Sequence, residues 1–183
     1  GLHKVFVYGT LKRGQPNHHL LQEAVGLARL LGRARLVDRY PLILTRYGIP
    51  MLLAKQGAGE VVEGELYEVD DDALAKLDEL EHHPTLYTRT PTHCHLLTPS
   101  QQSHLPNSTS SPTPSSDPTA SVDCETYMVY DTTDSALQQP HYRCYDVANL
   151  PEGLEMPPSA KDRSPELRAA IYESLLEIKR KMS

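Results

Sequence analysis

Two stretches of this chain carry residues that do chemistry: a glycine turn at Tyr8-Gly9-Thr10-Leu11 and an acid at Glu81. The turn follows Lys4-Val5-Phe6-Val7, a compact β-forming run, and Gly9 permits a sharp change of direction at its end. N–H groups that have left a sheet and are not yet engaged by a helix converge on an anion or a developing oxyanion. Such a turn is a cradle for charge and supplies no reagent of its own. A carboxylate is the complementary part. If Glu81 faces inward it must be paired, hydrogen-bonded or protonated, and a group so placed is a candidate for acid–base work.

Two familiar glycine-loop readings fail on their chemical half. Gly9 and Gly14 have the G-x-x-x-x-G spacing of a phosphate loop, but Gln15-Pro16 stands where a Lys and a Ser or Thr would meet phosphate and magnesium. No G-x-G-x-x-G run follows the strand, so a dinucleotide fingerprint is missing as well. A plain strand-to-helix turn is the remaining alternative to the cradle.

The element that positions Glu81 is legible. Asp70-Asp71-Asp72 caps a helix and places negative charge at its positive end, and Pro84 stops it. At about 100° per residue, Leu74, Leu77 and Leu80 share one arc; Glu81 falls inside it and Glu79 opposite. The competing reading is a helix that frays before Glu81 and leaves the side chain in water.

Around these elements the chain reads as many short strands. Pro16-Asn17 starts a short helix through Leu20 and Leu21, with His18 and His19 diverging too far to share a metal. Ala34 to Val37, Leu42 to Thr45 and Met51 to Ala54 are strand candidates, with Gly48-Ile49-Pro50 a constrained turn between two of them. Val61 to Val69 is a longer strand whose Gly64 marks a bulge or a close backbone approach. Leu86 to Thr90 and Thr92 to Leu97 are strand material interrupted by Pro91, and Cys124 to Tyr130 is expected to pair with the latter. His93 and His95 share one face of their strand, either as an exposed pair or as two ligands lacking a third. Thr98 to Ser121, mostly Ser, Thr and Pro, has too little apolar content to bury and reads as a mobile insertion. Ser164-Pro165-Glu166 opens a second amphipathic helix over about 165–181, with Leu167, Ile171, Leu175 and Ile178 on one side. The domain is drawn as 1–147 and the extension as 148–183.

Composition excludes several classes. Lys plus Arg number 18 against 24 Asp plus Glu, a net charge of −6, and no basic stripe offers itself to nucleic acid. No apolar run approaches the roughly 18 residues of a membrane span, and three cysteines without ligand spacing suit a reducing compartment. The expectation is a soluble cytoplasmic protein.

Tyr8-Gly9-Thr10-Leu11, the Lys12-Arg13-Gly14-Gln15-Pro16-Asn17-His18 that follows, Gly48-Ile49-Pro50, and Leu77-Asp78-Glu79-Leu80-Glu81 before Tyr87-Thr88-Arg89-Thr90 occur in an order that resembles the γ-glutamylcyclotransferase-like superfamily. Its γ-glutamylamine branch is the nearest, with the plant avirulence-induced proteins as neighbours. The resemblance runs from about Lys4 to Tyr130 and departs at the insertion and the C-terminal helix. It implies an α+β fold, a small mixed β-barrel with flanking helices. It implies cofactor-independent, metal-free release of 5-oxoproline from a γ-glutamylamine such as γ-glutamyl-ε-lysine. Glu81 is then the general base and acid, and Tyr8, Gly9, Thr10, Leu11, Ile49, Pro50 and Tyr87 bind substrate. The expected partner is a small γ-glutamyl molecule on a monomer, with no membrane or nucleic acid; the C-terminal helix reads as a packing helix, with a docking site for a protein partner as the alternative. The alternative is a binding module that keeps the cavity without turnover.

Overall fold

The computed structural model describes residues 1–22, 26–98, 120–154, 157 and 159–179. Most of the Ser/Thr/Pro-rich insertion therefore lies outside the described residues. In chain order the elements are β1 (Leu2–Val7), α1 (His19–Gln22), β2 (Ala28–Leu36), β3 (Leu42–Leu44), β4 (Pro50–Leu52), β5 (Glu63–Asp70), α2 (Asp71–Leu80), β6 (Thr88–Leu96), β7 (Val122–Met128), α3 (Asp134–Leu137) and α4 (Pro165–Leu176).

Five strands close a barrel in the order β1-β5-β2-β6-β7, and β3 and β4 form a separate two-stranded sheet. The barrel is mixed because β1 meets β7 in parallel at Val5 and Glu125, whereas the other neighbours run antiparallel. Closure removes the unpaired edges an open sheet would expose. Alternation along β1 feeds two cores. Phe6 and Tyr8 join Ala34, Leu36, Leu66, Cys94, Cys124 and Met128, drawn from all five barrel strands. Val5 and Val7 join Leu74 and Leu77 of α2 and Ile171 and Leu175 of α4. The two helices thus cover one outer flank of the barrel, and the apolar side of α4 is spent on this domain.

Several boundaries differ from the sequence reading for identifiable reasons. β2 begins at Ala28 because β5 offers it a long partner edge, reinforced by cross-strand pairs Arg29–Glu68 (2.8 Å) and Arg35–Glu63 (3.2 Å). The irregularity falls in β2, between Leu30 and Gly32; Gly64 marks a close approach, since a Cβ there would stand 2.3 Å from the Val7 carbonyl oxygen. Leu86 and Tyr87 precede β6, which runs unbroken through Pro91. α4 ends at Leu176 because the chain then bridges Thr132 through Lys179, the Thr133 N–H donating to the Ile178 carbonyl (2.9 Å). The β6–β7 pairing falls as expected, Cys94 opposite Val122 and Thr88 opposite Met128. His93 Nδ1 lies 2.8 Å from Asp123 Oδ1 on the exposed face of β6 and β7, and no metal-ligand cluster occurs among the described residues.

Candidate active site

Asp70 caps α2 by accepting from the Ala73 N–H (2.9 Å), and the helix runs to Leu80 with Glu81 as its C-cap. Beyond it His82 takes a left-handed conformation (φ 51°). Its N–H donates to the Glu79 carbonyl (3.2 Å), and the His83 N–H donates to that of Asp78 (2.9 Å), the paired bonds of a Schellman stop. The helix neither continues through Glu81 nor frays before it. A hydrogen-bonded stop holds Glu81 in the apolar arc and reverses the chain so that the Tyr87 N–H returns to the Glu81 carbonyl (3.3 Å). The segment is further pinned by Arg89, which donates to Asp78 (2.5 Å) and Glu125 (3.0 Å), while the Tyr127 hydroxyl donates to Asp78 (2.7 Å).

The glycine turn is held as firmly. The Lys12 N–H donates to the Gly9 carbonyl (3.1 Å), and buried Asn17 clamps Thr10 twice, N–H to carbonyl (2.8 Å) and Nδ2 to Oγ1 (3.1 Å). Buried Glu65 receives both the Arg13 N–H (2.7 Å) and its Nε (2.6 Å). The N–H groups of Gly9, Thr10 and Leu11 find no protein acceptor among the described residues. They are the free donors a cradle requires. Gly9 is needed for space and not for its backbone angles: a Cβ there would stand 2.6 Å from Pro50 Cγ. Pro50 is in turn held by the Tyr87 hydroxyl, which donates to its carbonyl (2.9 Å).

All eight residues singled out from sequence, Glu81 with Tyr8, Gly9, Thr10, Leu11, Ile49, Pro50 and Tyr87, line one recess of about 40 Å³, joined there by Phe6, Val7 and Tyr127. That recess has room for a carboxylate or a few waters. It shares Thr10, Ile49, Glu81 and Tyr87 with a larger chamber of about 730 Å³ between α2 and α4. Glu81 and Tyr87 stand where the two meet.

Electrostatics separate the roles of these groups. Burial pushes the Glu81 carboxyl from 4.5 up to about 7, against a smaller opposing pull from the Arg163 guanidinium. Glu81 borders the cavity and so keeps a part-accessible surface, but its carboxylate receives no hydrogen bond among the described residues. Near neutrality it is therefore divided between acid and base, as a group that takes and returns a proton should be. Tyr8, Tyr87 and Tyr127 are raised first by burial, and then by Glu81 at Tyr8, by Tyr8 and Glu81 at Tyr87, and by Asp78 ahead of Glu81 at Tyr127, so they stay protonated and serve as walls and donors. Asn17, Glu65, Tyr127 and Arg163 were not singled out from sequence. Buried Asn and Glu carry no periodic signal, and Arg163 comes from the C-terminal segment, far from Glu81 along the chain.

A closed barrel with a buried acid of raised pKa beside unengaged main-chain donors is an arrangement suited to acid–base chemistry on a small polar molecule. The model of the family "Gamma-glutamyl cyclotransferase, AIG2-like" matches residues 5–146, and the chain belongs to that family and is an enzyme. A human gamma-glutamylaminecyclotransferase is 40% identical over 156 residues, 84% of this chain and 95% of that one. A Drosophila melanogaster protein, whose name proposes a gamma-glutamylcyclotransferase, is 56% identical over 88 residues, 47% of this chain and 56% of that one. The crystal structure of an AIG2-like protein from Mus musculus superposes with a TM-score of 0.70 at 34% identity, covering 87% of this chain and 97% of that one. Among the described residues no helix is long and apolar enough to cross a membrane.

Proposed function

We propose that this enzyme is a γ-glutamylamine cyclotransferase that converts a γ-glutamylamine into 5-oxoproline and a free amine, with γ-glutamyl-ε-lysine a substrate that releases lysine. The observation that carries the reading is the meeting, in one recess, of an acid poised near neutrality with the unengaged N–H groups of Gly9, Thr10 and Leu11.

The substrate's α-ammonium lies against Glu81, which takes a proton and leaves the amine free to attack the γ-carbonyl of the same residue. A ring C–N bond forms and the carbonyl oxygen gathers negative charge, which main-chain donors stabilise in a water-poor recess. Protonated Glu81 then gives its proton to the departing nitrogen as the carbonyl re-forms and the original C–N bond breaks, and the second proton of the ring nitrogen passes by way of Glu81 to the released amine, which leaves as an ammonium ion. One group thus serves as base and acid, and no outside reactant is consumed. Holding the glutamyl chain curled supplies a further share, since well-oriented intramolecular attack removes roughly 7–11 kcal/mol of barrier. The clamps from Asn17, Glu65 and Tyr87 favour that role by keeping the walls rigid.

Incubation with γ-glutamyl-ε-lysine and with ordinary γ-glutamyl amino acids, followed by assay of 5-oxoproline, tests the reading. Product from the first is expected. Binding of these compounds without any 5-oxoproline would return the protein to the class of cavity-bearing binding modules. Glu81→Gln keeps the shape but removes the base, and should abolish turnover while substrate still binds.

A further inference from the structure

The large chamber beside Glu81 has a wall that the glycine turn and α2 do not supply. Arg163 and Arg168 line it, together with Ile171, Tyr172 and Leu175 of α4, facing Leu77 and Leu80 of α2. The segment is fixed there. Ser164 caps α4 by accepting from the Leu167 N–H (3.1 Å), Ile171 and Leu175 are buried in the core, and Tyr172 packs on His82 at 4.8 Å between ring centres. The C-terminal helix is therefore part of the cavity.

The lining has a clear chemical order. Its body is aliphatic. Its charges are Lys76 and Glu79, which pair with each other at 3.6 Å, Glu81 at the inner end, and the two arginines. Lys76 and Glu79 offset each other, and Arg163 and Arg168 are the cationic side chains that line the chamber beyond them. Burial lowers the Arg163 guanidinium, Tyr87 and Glu81 oppose that shift, and the like charge of Arg168 adds a smaller push in the first direction.

We propose that the segment Arg163–Leu175 is the leaving-amine wall of this active site, and that Arg163 and Arg168 select amines with an apolar stem ending in a carboxylate. The proposal rests on the cyclotransferase reading above and deepens it. At about 730 Å³ the chamber holds such an amine beyond Glu81 together with the part of the glutamyl group that the small recess does not take in, and the stem lies along Leu77, Leu80 and Tyr172. Guanidinium groups suit the far end because they offer paired donors to a carboxylate and desolvate more readily than an ammonium.

The experiment compares γ-glutamyl-ε-lysine with γ-glutamylcadaverine, which keeps the stem and its terminal ammonium and lacks only the carboxylate, on the wild type and on Arg163→Gln, Arg168→Gln and the double variant. The ratio of kcat/KM for the first compound over the second should fall at least about tenfold in the double variant, through KM, as expected for losing charge-assisted hydrogen bonds. Arg163→Lys should keep part of the preference. An unchanged ratio overturns the proposal. Equal losses on both compounds also overturn it, since they would confine the arginines' effect to Glu81 or to the glutamyl group, which the two compounds share. Calorimetric binding of the two compounds to Glu81→Gln, with and without the arginine changes, reads the same ratio with turnover removed. If the wild type makes no 5-oxoproline while this binding preference holds, the chemistry fails and the wall stands; turnover without any preference means the reverse.

Discussion

The desolvation of Glu81 can be read from folding stability with no substrate present. Its carboxyl has a pKa near 4.5 unfolded and about 7 folded. Between these values the folded chain binds more protons than the unfolded one, so stability falls as pH rises. The penalty is nearly absent below pH 4.5, grows through the interval, and reaches its full size above pH 7, where it comes to about 3 kcal/mol at most. Glu81→Gln mimics the neutral acid and escapes that penalty. The variant should match the wild type to within about 1 kcal/mol at pH 5 and exceed it by about 2–3 kcal/mol at pH 8.5. For a chain of this size that gain corresponds to about 4–12 °C in melting temperature. Urea or thermal unfolding of both proteins at the two pH values is the assay. A stability difference that does not grow between pH 5 and pH 8.5 would mean that the carboxylate is solvated, and the base assigned to the site would have no raised pKa to explain. The expected pairing, a more stable protein that turns nothing over, is the usual relation between a costly buried group and the function that retains it.

Other outcomes follow from the same contacts. The kcat/KM profile should rise with pH through a midpoint near 7 as Glu81 ionises, and Arg163→Gln should move that midpoint upward, because the guanidinium favours the ionised form; pH–rate measurements on both proteins check this. Gly9→Ala drives a methyl to 2.6 Å from Pro50, whose ring cannot swing aside, and should cost about 1–3 kcal/mol along with most activity, measured by unfolding and 5-oxoproline assay. Leu175→Ala removes a side chain of α4 that is only 5% exposed and should lower stability by about 2–4 kcal/mol in denaturant titration, since the helix shares the domain's core.

What the sequence determined by itself was local chemistry and local pattern. The glycine turn after a β-forming run, the aspartate cap of α2, the short strands and the face on which Glu81 falls are all set by propensity, capping and periodicity, which act over a few residues. The resemblance carried by Tyr8-Gly9-Thr10-Leu11 and the Glu81 segment supplied the barrel and the substrate-binding roles, and the eight residues it named do line one recess. Tertiary structure decided the rest. The Schellman stop at His82 has no glycine to announce it, so only the fold shows why Glu81 stays inward after its helix has ended. Gly9 reads as a flexible turn residue, yet its requirement is the Pro50 ring pressed against it from another strand. The parallel contact of β1 with β7, the burial of Asn17 and Glu65 beneath the turn, and the return of Arg163 to the mouth of the recess join residues distant in the chain. A carboxylate's pKa depends on the atoms that replace water around it, and no spacing along the chain specifies those atoms until the barrel has closed and α4 has packed against its side.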